Sequence, residues 1–399
     1  TDDLPLRRRS LYPLSYGGAA ERSVQEYARA GSGSRGPRAA AAENSPVPGN
    51  LSLRRGIPTR MYLNGIGTAA PPWRYTRLDC WEAFRRSEWF ERLPERARAL
   101  TRAILLGDNG MEARRLAVGS LAEVFRIDPD TLQRRFLDTA PELAARAGAA
   151  ALDHAGLGTD DIDAVVVSTC TGYLCPGLSG YVIERLGLRA RTLAFDLVGQ
   201  GCAAAVPNMR LGQALLAPGQ GCRNVLSICV EVASAAMYLD EDPGVLVSAC
   251  LFGDGAGAAV LSHAPAGGRR RIEWRDSESL LDPTQRAALM FEHRGGMLRN
   301  VLTRPVPGLA AEYVGQVVQT LLRRAQLDAP QIGAWIMHAG GRDVLRAIEE
   351  RLALGPEDLR YSAAVLREHG NLSSAFVYFV LQAALAGGAA GGWWWLGAF

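Results

Sequence analysis

A cysteine and an asparagine, each directly after a glycine, and a histidine two residues before one are the residues of this 399-residue chain whose types and spacing could do chemistry. Cys202 closes "GQGC" and opens an alanine run that reads as a helix. His338 ends the apolar run "WIMH" before Ala-Gly-Gly, and Asn371 follows Gly370 at the head of "GNLSSA". A thiol at a helix N-terminus meets the positive end of the dipole and unpaired N–H groups, which favours thiolate. Gly199 and Gly201 let a substrate approach the backbone. His338 can stabilise the thiolate as imidazolium or donate to a carbonyl, and Asn371 offers an amide N–H₂ to an oxyanion. A Cys/His/Asn set supports acyl transfer. Taken singly, His338 reads as structural and Asn371 as a helix cap. Pro207 falls awkwardly, a few residues into the helix that follows Cys202.

An internal repeat joins the three. "GLGTDDIDAVVVSTCTG" and "QLDAPQIGAWIMHAGG" each follow a helix, turn through polar residues, enter a buried strand at an Ile and leave through a glycine-containing loop. Matching helices come next ("YVIERLGL", "VLRAIEERLAL"), then a glycine, one polar residue and another helix. Ile162 to Cys202 is 40 residues; Ile332 to Asn371 is 39. Two such units pack about a pseudo-two-fold axis, with Cys202 and Asn371 in equivalent places. His338 ends the second unit's strand, where loops carry function in open α/β sheets. From about residue 140, helices and strands alternate, which predicts an α/β fold with largely parallel strands.

Composition narrows the chemistry further. All 44 Lys+Arg residues are arginine, so Schiff-base catalysis, lysine-bound pyridoxal phosphate and a Walker-type phosphate loop are excluded. A net charge of +3 suggests neither nucleic acid nor an anionic membrane as partner. Seven cysteines without a C-x-x-C read as reduced cytosolic thiols, mostly buried, and the chain is expected in the cytoplasm. Residues 1–60, rich in Arg, Ser, Gly, Pro and Ala, read as a disordered extension, with periodic structure starting at Met61. Leu381 to Phe399 carries one polar residue but five glycines, and reads as core rather than as a membrane span.

"GQGC", "LFGDGAGAAV", "WIMHAGG" and "GNLSSA", in this order and spacing, make the chain resemble the type III polyketide synthases, from Met61 to the end. "GGWWW" and "MYLNGIGTA" are similar to bacterial alkylresorcinol and alkylpyrone synthases more than to plant chalcone synthases. The resemblance implies a thiolase-like fold: two duplicated α/β halves in a layered αβαβα arrangement, 61–265 with the nucleophile and 266–399 with His and Asn. It also implies a homodimer acting on acyl-CoA and malonyl-CoA, with no metal or redox cofactor. Cys202 would hold the growing acyl chain, while His338 and Asn371 bind the malonyl thioester carbonyl and stabilise the enolate formed on decarboxylation. Phe252 matches a phenylalanine between the coenzyme A tunnel and the acyl cavity. Cys170, Thr171 and Ser373 fall near that cavity. Ala233, Ala235 and Ala236 stand where plant members carry larger residues.

The chain also departs from the plant pattern. Met297, Leu298 or Arg299 takes the place of a second gatekeeper phenylalanine. Of three basic residues that hold coenzyme A phosphates, only Arg102 is matched; Leu105 and Asn109 replace the others. The chain stops at "GGWWWLGAF", where the family continues into a final strand, so that strand is expected to be missing. Rival readings are the ketoacyl synthase that initiates fatty-acid synthesis with an acyl-carrier protein, a Cys/His/Asn hydrolase, and a catalytically inactive binding protein of the same fold. Ala-Gly-Gly after His338 favours the polyketide enzyme over the first. Small residues around the cavity predict medium- to long-chain fatty acyl starters, unless Met237 or Met290 closes the space, with alkylpyrones or alkylresorcinols as products.

Overall fold

Alternating β-branched runs and alanine-rich helical stretches become a layered α/β fold in the computed structural model, which describes residues 60–267 and 270–399. The expectation for residues 1–60 lies, apart from Arg60, outside the described residues. The chain begins with β1 (Met61–Ala69), β2 (Arg74–Thr76), α1 (Arg77–Arg85), α2 (Glu88–Arg92), α3 (Glu95–Leu106), β3 (Ala113–Arg115) and α4 (Pro129–Ala155). Next come β4 (Ala164–Thr169), α5 (Leu178–Leu186), β5 (Leu193–Val198), α6 (Ala205–Leu215), β6 (Asn224–Glu231), α7 (Pro243–Leu251), β7 (Gly255–Ser262) and β8 (Glu273–Trp274).

Six of these strands form one mixed sheet in the order β5-β4-β6-β7-β1-β8. β4 runs parallel to β5 and β6, and β7 lies antiparallel between β6 and β1. "AVVVST" of β4 is buried at every residue, as a strand covered on both faces must be. Alternation along β6 sorts its side chains: Leu226, Ile228 and Val230 pack with α4 and α5, whereas Val225 and Cys229 pack toward α6 and α11. α4 lies so close to β1 that a Cβ on Gly65 or Gly67 would strike the carbonyls of Ala151 and Ala147.

The remainder is β9 (Leu289–Arg294), β10 (Met297–Leu302), α8 (Val306–Ala325), β11 (Ile332–Met337), α9 (Arg342–Leu352), α10 (Arg360–His369), α11 (Phe376–Ala386) and β12 (Trp393–Gly397). β9 and β10 form a hairpin turned at Gly295-Gly296, both at positive φ (59° and 78°). β11 and β12 pair in parallel. The two repeated units correspond through β4 and β11, α5 and α9, and the turns into α6 and α11. Between those points the first unit has β5 and the second has α10. The residues explain the difference, since "LAFDLV" is a short β-type run and "RYSAAVLREH" has a helical period. Residues 381–399 close α11 and form β12; no helix among the described residues is long and apolar enough to cross a membrane.

Pro207 is accommodated simply. Gly201–Ala204 is a 3₁₀ turn, so α6 starts at Ala205 and Pro207 sits in its first turn, where no intrahelical N–H bond is required.

Candidate active site

Glycines aim the chain at two points of the site. Gly199 and Gly201 hold φ of 79° and 63°, bending the chain off β5 and setting Cys202 in the 3₁₀ turn before α6. Gly370 has φ 70°, and a Cβ there would press on the Leu251 carbonyl. This close approach lets the Asn371 N–H donate to Leu251 O (2.9 Å) and the Gly253 N–H to Asn371 O (3.0 Å), with Phe252 and Asn371 forming a parallel bridge. His338 follows β11, its N–H donating to Gly397 O at 2.9 Å. Phe376 and Phe399 enclose its ring, with centroids 5.5 and 4.6 Å away.

The side chains then meet. Asn371 is oriented by two bonds: Oδ1 accepts from the Ser373 N–H (2.8 Å) and Nδ2 donates to Gly340 O (3.3 Å). Its Oδ1 therefore faces His338 Nε2 at 3.1 Å, which places the imidazole proton on Nε2. Ser373 completes the link by donating from Oγ to Cys202 Sγ at 3.3 Å. Its backbone lies at φ 50°, unusual for a residue with a side chain, and such positions gather at functional sites.

The electrostatics differ from the expected thiolate–imidazolium pair. Burial depresses His338 to about 4, only partly countered by its bond to Asn371, so the ring is neutral near pH 7. Burial likewise pushes the Cys202 thiol up to about 11, against the lowering effect of the Ser373 hydroxyl. Desolvation outweighs the helix terminus, so the resting site holds a thiol beside a neutral imidazole.

A cavity of about 710 Å³ opens from Cys202. Cys170, Thr171, Ala233, Ala236, Phe252 and Ser373 line it as expected, while His338 and Asn371 lie behind Ser373 and Phe399. Met237 and Met290 line it too, without closing it. Of the three candidates for the second gatekeeper place, Met297 and Leu298 face the cavity; Arg299 instead bonds to carboxylates. Arg102 does not join the site. It is exposed on α3 because Thr101 and Leu105 occupy the buried face of that helix. All seven cysteines are unpaired, and Cys80, Cys222, Cys229 and Cys250 are buried. No group of three or more His, Cys, Asp or Glu among the described residues could hold a metal ion.

Two residues of the site carry no motif. Glu231, fully buried at the end of β6, accepts from Thr171 Oγ1 (2.9 Å), the Cys170 N–H (3.1 Å) and Ser374 Oγ, and shares with Cys202 the one proton of Ser373 Oγ (3.3 Å). Burial raises its carboxyl above the usual range despite these donors. Arg114, 5% exposed, donates from Nη1 to the carbonyls of Ala249 (2.6 Å) and Phe252 (3.0 Å), gripping the turn that carries Phe252. A lone glutamate ending the apolar "NVLSICV" was the available signal for the first; "ARR" gave none for the second.

Known protein families match two stretches of the chain. Residues 122–276 match the family described as FAE1/Type III polyketide synthase-like protein, and residues 281–388 match the C-terminal domain of chalcone and stilbene synthases. A 1,3,6,8-tetrahydroxynaphthalene synthase of Streptomyces peucetius subsp. caesius is 32% identical over 321 residues, 79% of this chain and 83% of that one. The chain belongs to the type III polyketide synthases. A 3,5-dihydroxyphenylacetyl-CoA synthase of Streptomyces toyocaensis is 29% identical, covering 83% of this chain and 85% of that one. Among solved structures, PKS-I of the brown alga Ectocarpus siliculosus superposes with TM-score 0.75 at 24% identity, over 83% and 92% of the two chains, and shares the fold. As a type III polyketide synthase the protein is an acyltransferase that forms carbon–carbon bonds by condensing malonyl-CoA. Neither relative is named for an alkylresorcinol or an alkylpyrone.

Proposed function

We propose that this polyketide synthase loads a medium- or long-chain fatty acyl group from coenzyme A onto Cys202 and extends it with malonyl-CoA to alkylpyrones or alkylresorcinols. The observation that carries the reading is the cavity beside Cys202, with alanines at 233, 235 and 236 and walls of Leu, Met and Phe. Each methylene buried there contributes about 0.8 kcal/mol. The Cys202 sulfur attacks the starter thioester, and coenzyme A leaves as a thiol that takes up the proton lost by Cys202. A malonyl thioester carbonyl then accepts from His338 Nε2–H, in place of Asn371 Oδ1, and from the Asn371 Nδ2 proton that is not given to Gly340 O. The bond to its carboxylate breaks, carbon dioxide departs, and the electron pair forms an enolate that these donors stabilise. The enolate carbon attacks the Cys202 thioester and releases the sulfur. These steps call for no metal or redox cofactor. Arg102 is left to meet coenzyme A phosphates outside the cavity. The protein acts as a homodimer in the cytoplasm. Support for the dimer comes from β5, an edge strand of the large sheet that exposes Leu193 and Val198, each 45% accessible.

Acyl-CoAs of increasing length, a coumaroyl-CoA control and malonyl-CoA, followed by product mass spectrometry, test the reading. Catalytic efficiency should rise with chain length and then level off where the cavity ends. A clear preference for coumaroyl-CoA would overturn it. A second reading, a polyhydroxylated ring without an alkyl tail, is supported by the names of the two relatives, and products lacking the starter's alkyl carbons would establish it.

A further inference from the structure

The β9–β10 hairpin supplies one wall of the cavity through Leu289, Met290, Phe291, Met297 and Leu298, yet its strands pair only with each other among the described residues. Met297 packs on the apolar cluster of Leu116, Val124, Leu132 and Met237, and polar bonds add to that hold. Arg299, whose side chain is 9% exposed, reaches Asp240 with Nε (2.8 Å), Asp242 with Nη2 (3.1 Å) and Glu292 with Nη1 (3.2 Å). Glu292 is its cross-strand partner on β9. Asp240 and Asp242 precede α7, and Asp242 caps that helix by accepting from the Gly244 and Val245 N–H groups. One guanidinium thus ties both strands of the hairpin to the N-terminus of α7. The next residue, Asn300, accepts from Ser248 Oγ on α7 at 2.8 Å. Arg294 Nη1, 3.7 Å from Asp240, adds a weaker charge to the cluster.

We propose that Arg299 is a positioning residue that latches the hairpin against α7 and so sets the volume open to the growing polyketide. Without it, three carboxylates face one another with only Arg294 paired to them among the described residues, and like charges push the wall outward. Cys202, His338 and Asn371 stand on other elements and keep their bonds. The latch acts on how far the chain is extended, not on whether malonyl is decarboxylated.

The test uses the full chain with Arg299→Met and, for rescue, Arg299→Lys. Hydrogen exchange is followed by mass spectrometry, and products are weighed with malonyl-CoA and any accepted acyl-CoA, so failure of the fatty-starter reading leaves the test intact. In Arg299→Met, amides of 289–302 should exchange about tenfold faster while those of β6 hold. Product masses should move by one or more malonyl-derived units, with malonyl-CoA decarboxylation within about twofold of wild type. Arg299→Lys should restore part of both changes. Unchanged hairpin exchange, unchanged product masses, or decarboxylation falling in step with extension would overturn the proposal. If Arg299→Met does not fold, Glu292→Gln removes one of the three partners, and the same shifts at smaller size are required of it.

Discussion

His338 keeps its proton on Nε2 because Ser373 and Gly340 fix the Asn371 amide opposite it, and its buried Nδ1 has no bond. This has a pH signature. The unfolded histidine titrates near 6.5 and the folded one near about 4, so between those values the unfolded state binds the extra proton. The contribution is fully present above pH 6.5 and is lost as pH falls toward 4, by about 1.4 kcal/mol per pH unit. Thermal unfolding between pH 7 and 5 should therefore show a smaller drop in midpoint for His338→Gln than for wild type. An equal drop would show that the imidazole is not the group being protonated. Glu231 and Asp254, whose carboxyls burial raises, act with the opposite sign, losing stability as pH rises through their folded values. They cancel in the comparison because both proteins carry them. At this scale Cys202 and Asn371 were legible because each follows a glycine at matched spacing, and His338 because it ends an apolar run two residues before Gly340. Glu231 was not. Its residue type argues for solvent, and its donors come from residues 169–171 and 373–374, far away in sequence. The charge state of Cys202 was hidden as well, since burial is not a local property of "GQGC".

Packing of α4 on β1 shows what the elements require. Gly67 meets the Ala147 carbonyl and Ala151 N, both backbone atoms of a helix that cannot yield without moving as a whole. Gly67→Ala should cost at least about 3 kcal/mol by overpacking. Gly180, inside α5 with nothing within 4 Å of an added Cβ, should gain up to about 1 kcal/mol as Ala by narrowing the unfolded ensemble. Chemical denaturation of the two variants checks the pair; equal effects would mean that the close approach does not decide the outcome at Gly67. The alternation that gave β4, α5 and β6 was readable because buried strands and helices differ in period. The hairpin carried a usable sign in Gly295-Gly296, the residue pair a tight turn asks for. The exchange of β5 for α10 between the repeats was obscured by their near-equal spacing, which constrains length and not secondary structure. Pro207 reads as a defect only until the 3₁₀ turn moves the helix start past Cys202.

At the scale of the whole molecule, the open side of β5 is the largest consequence of the sheet order. A six-residue edge strand with Leu193 and Val198 exposed invites a second copy, and charged residues on an edge oppose such pairing. Sedimentation should give the mass of a dimer for the wild type and half that mass for Leu193→Lys/Val198→Lys; a monomeric wild type would remove the homodimer from the proposal. The bridge between Phe252 and Asn371 has a different reach. It is made by main-chain atoms, so the ring at 252 can be exchanged without loosening the Asn371 amide that faces His338. Under the proposed function, selection is thereby given two separate dials, one for which molecules pass and one for the reaction they undergo. A lineage built on this plan can diversify its products by substituting gate and wall while the carbon–carbon bond-forming step stays under constant constraint.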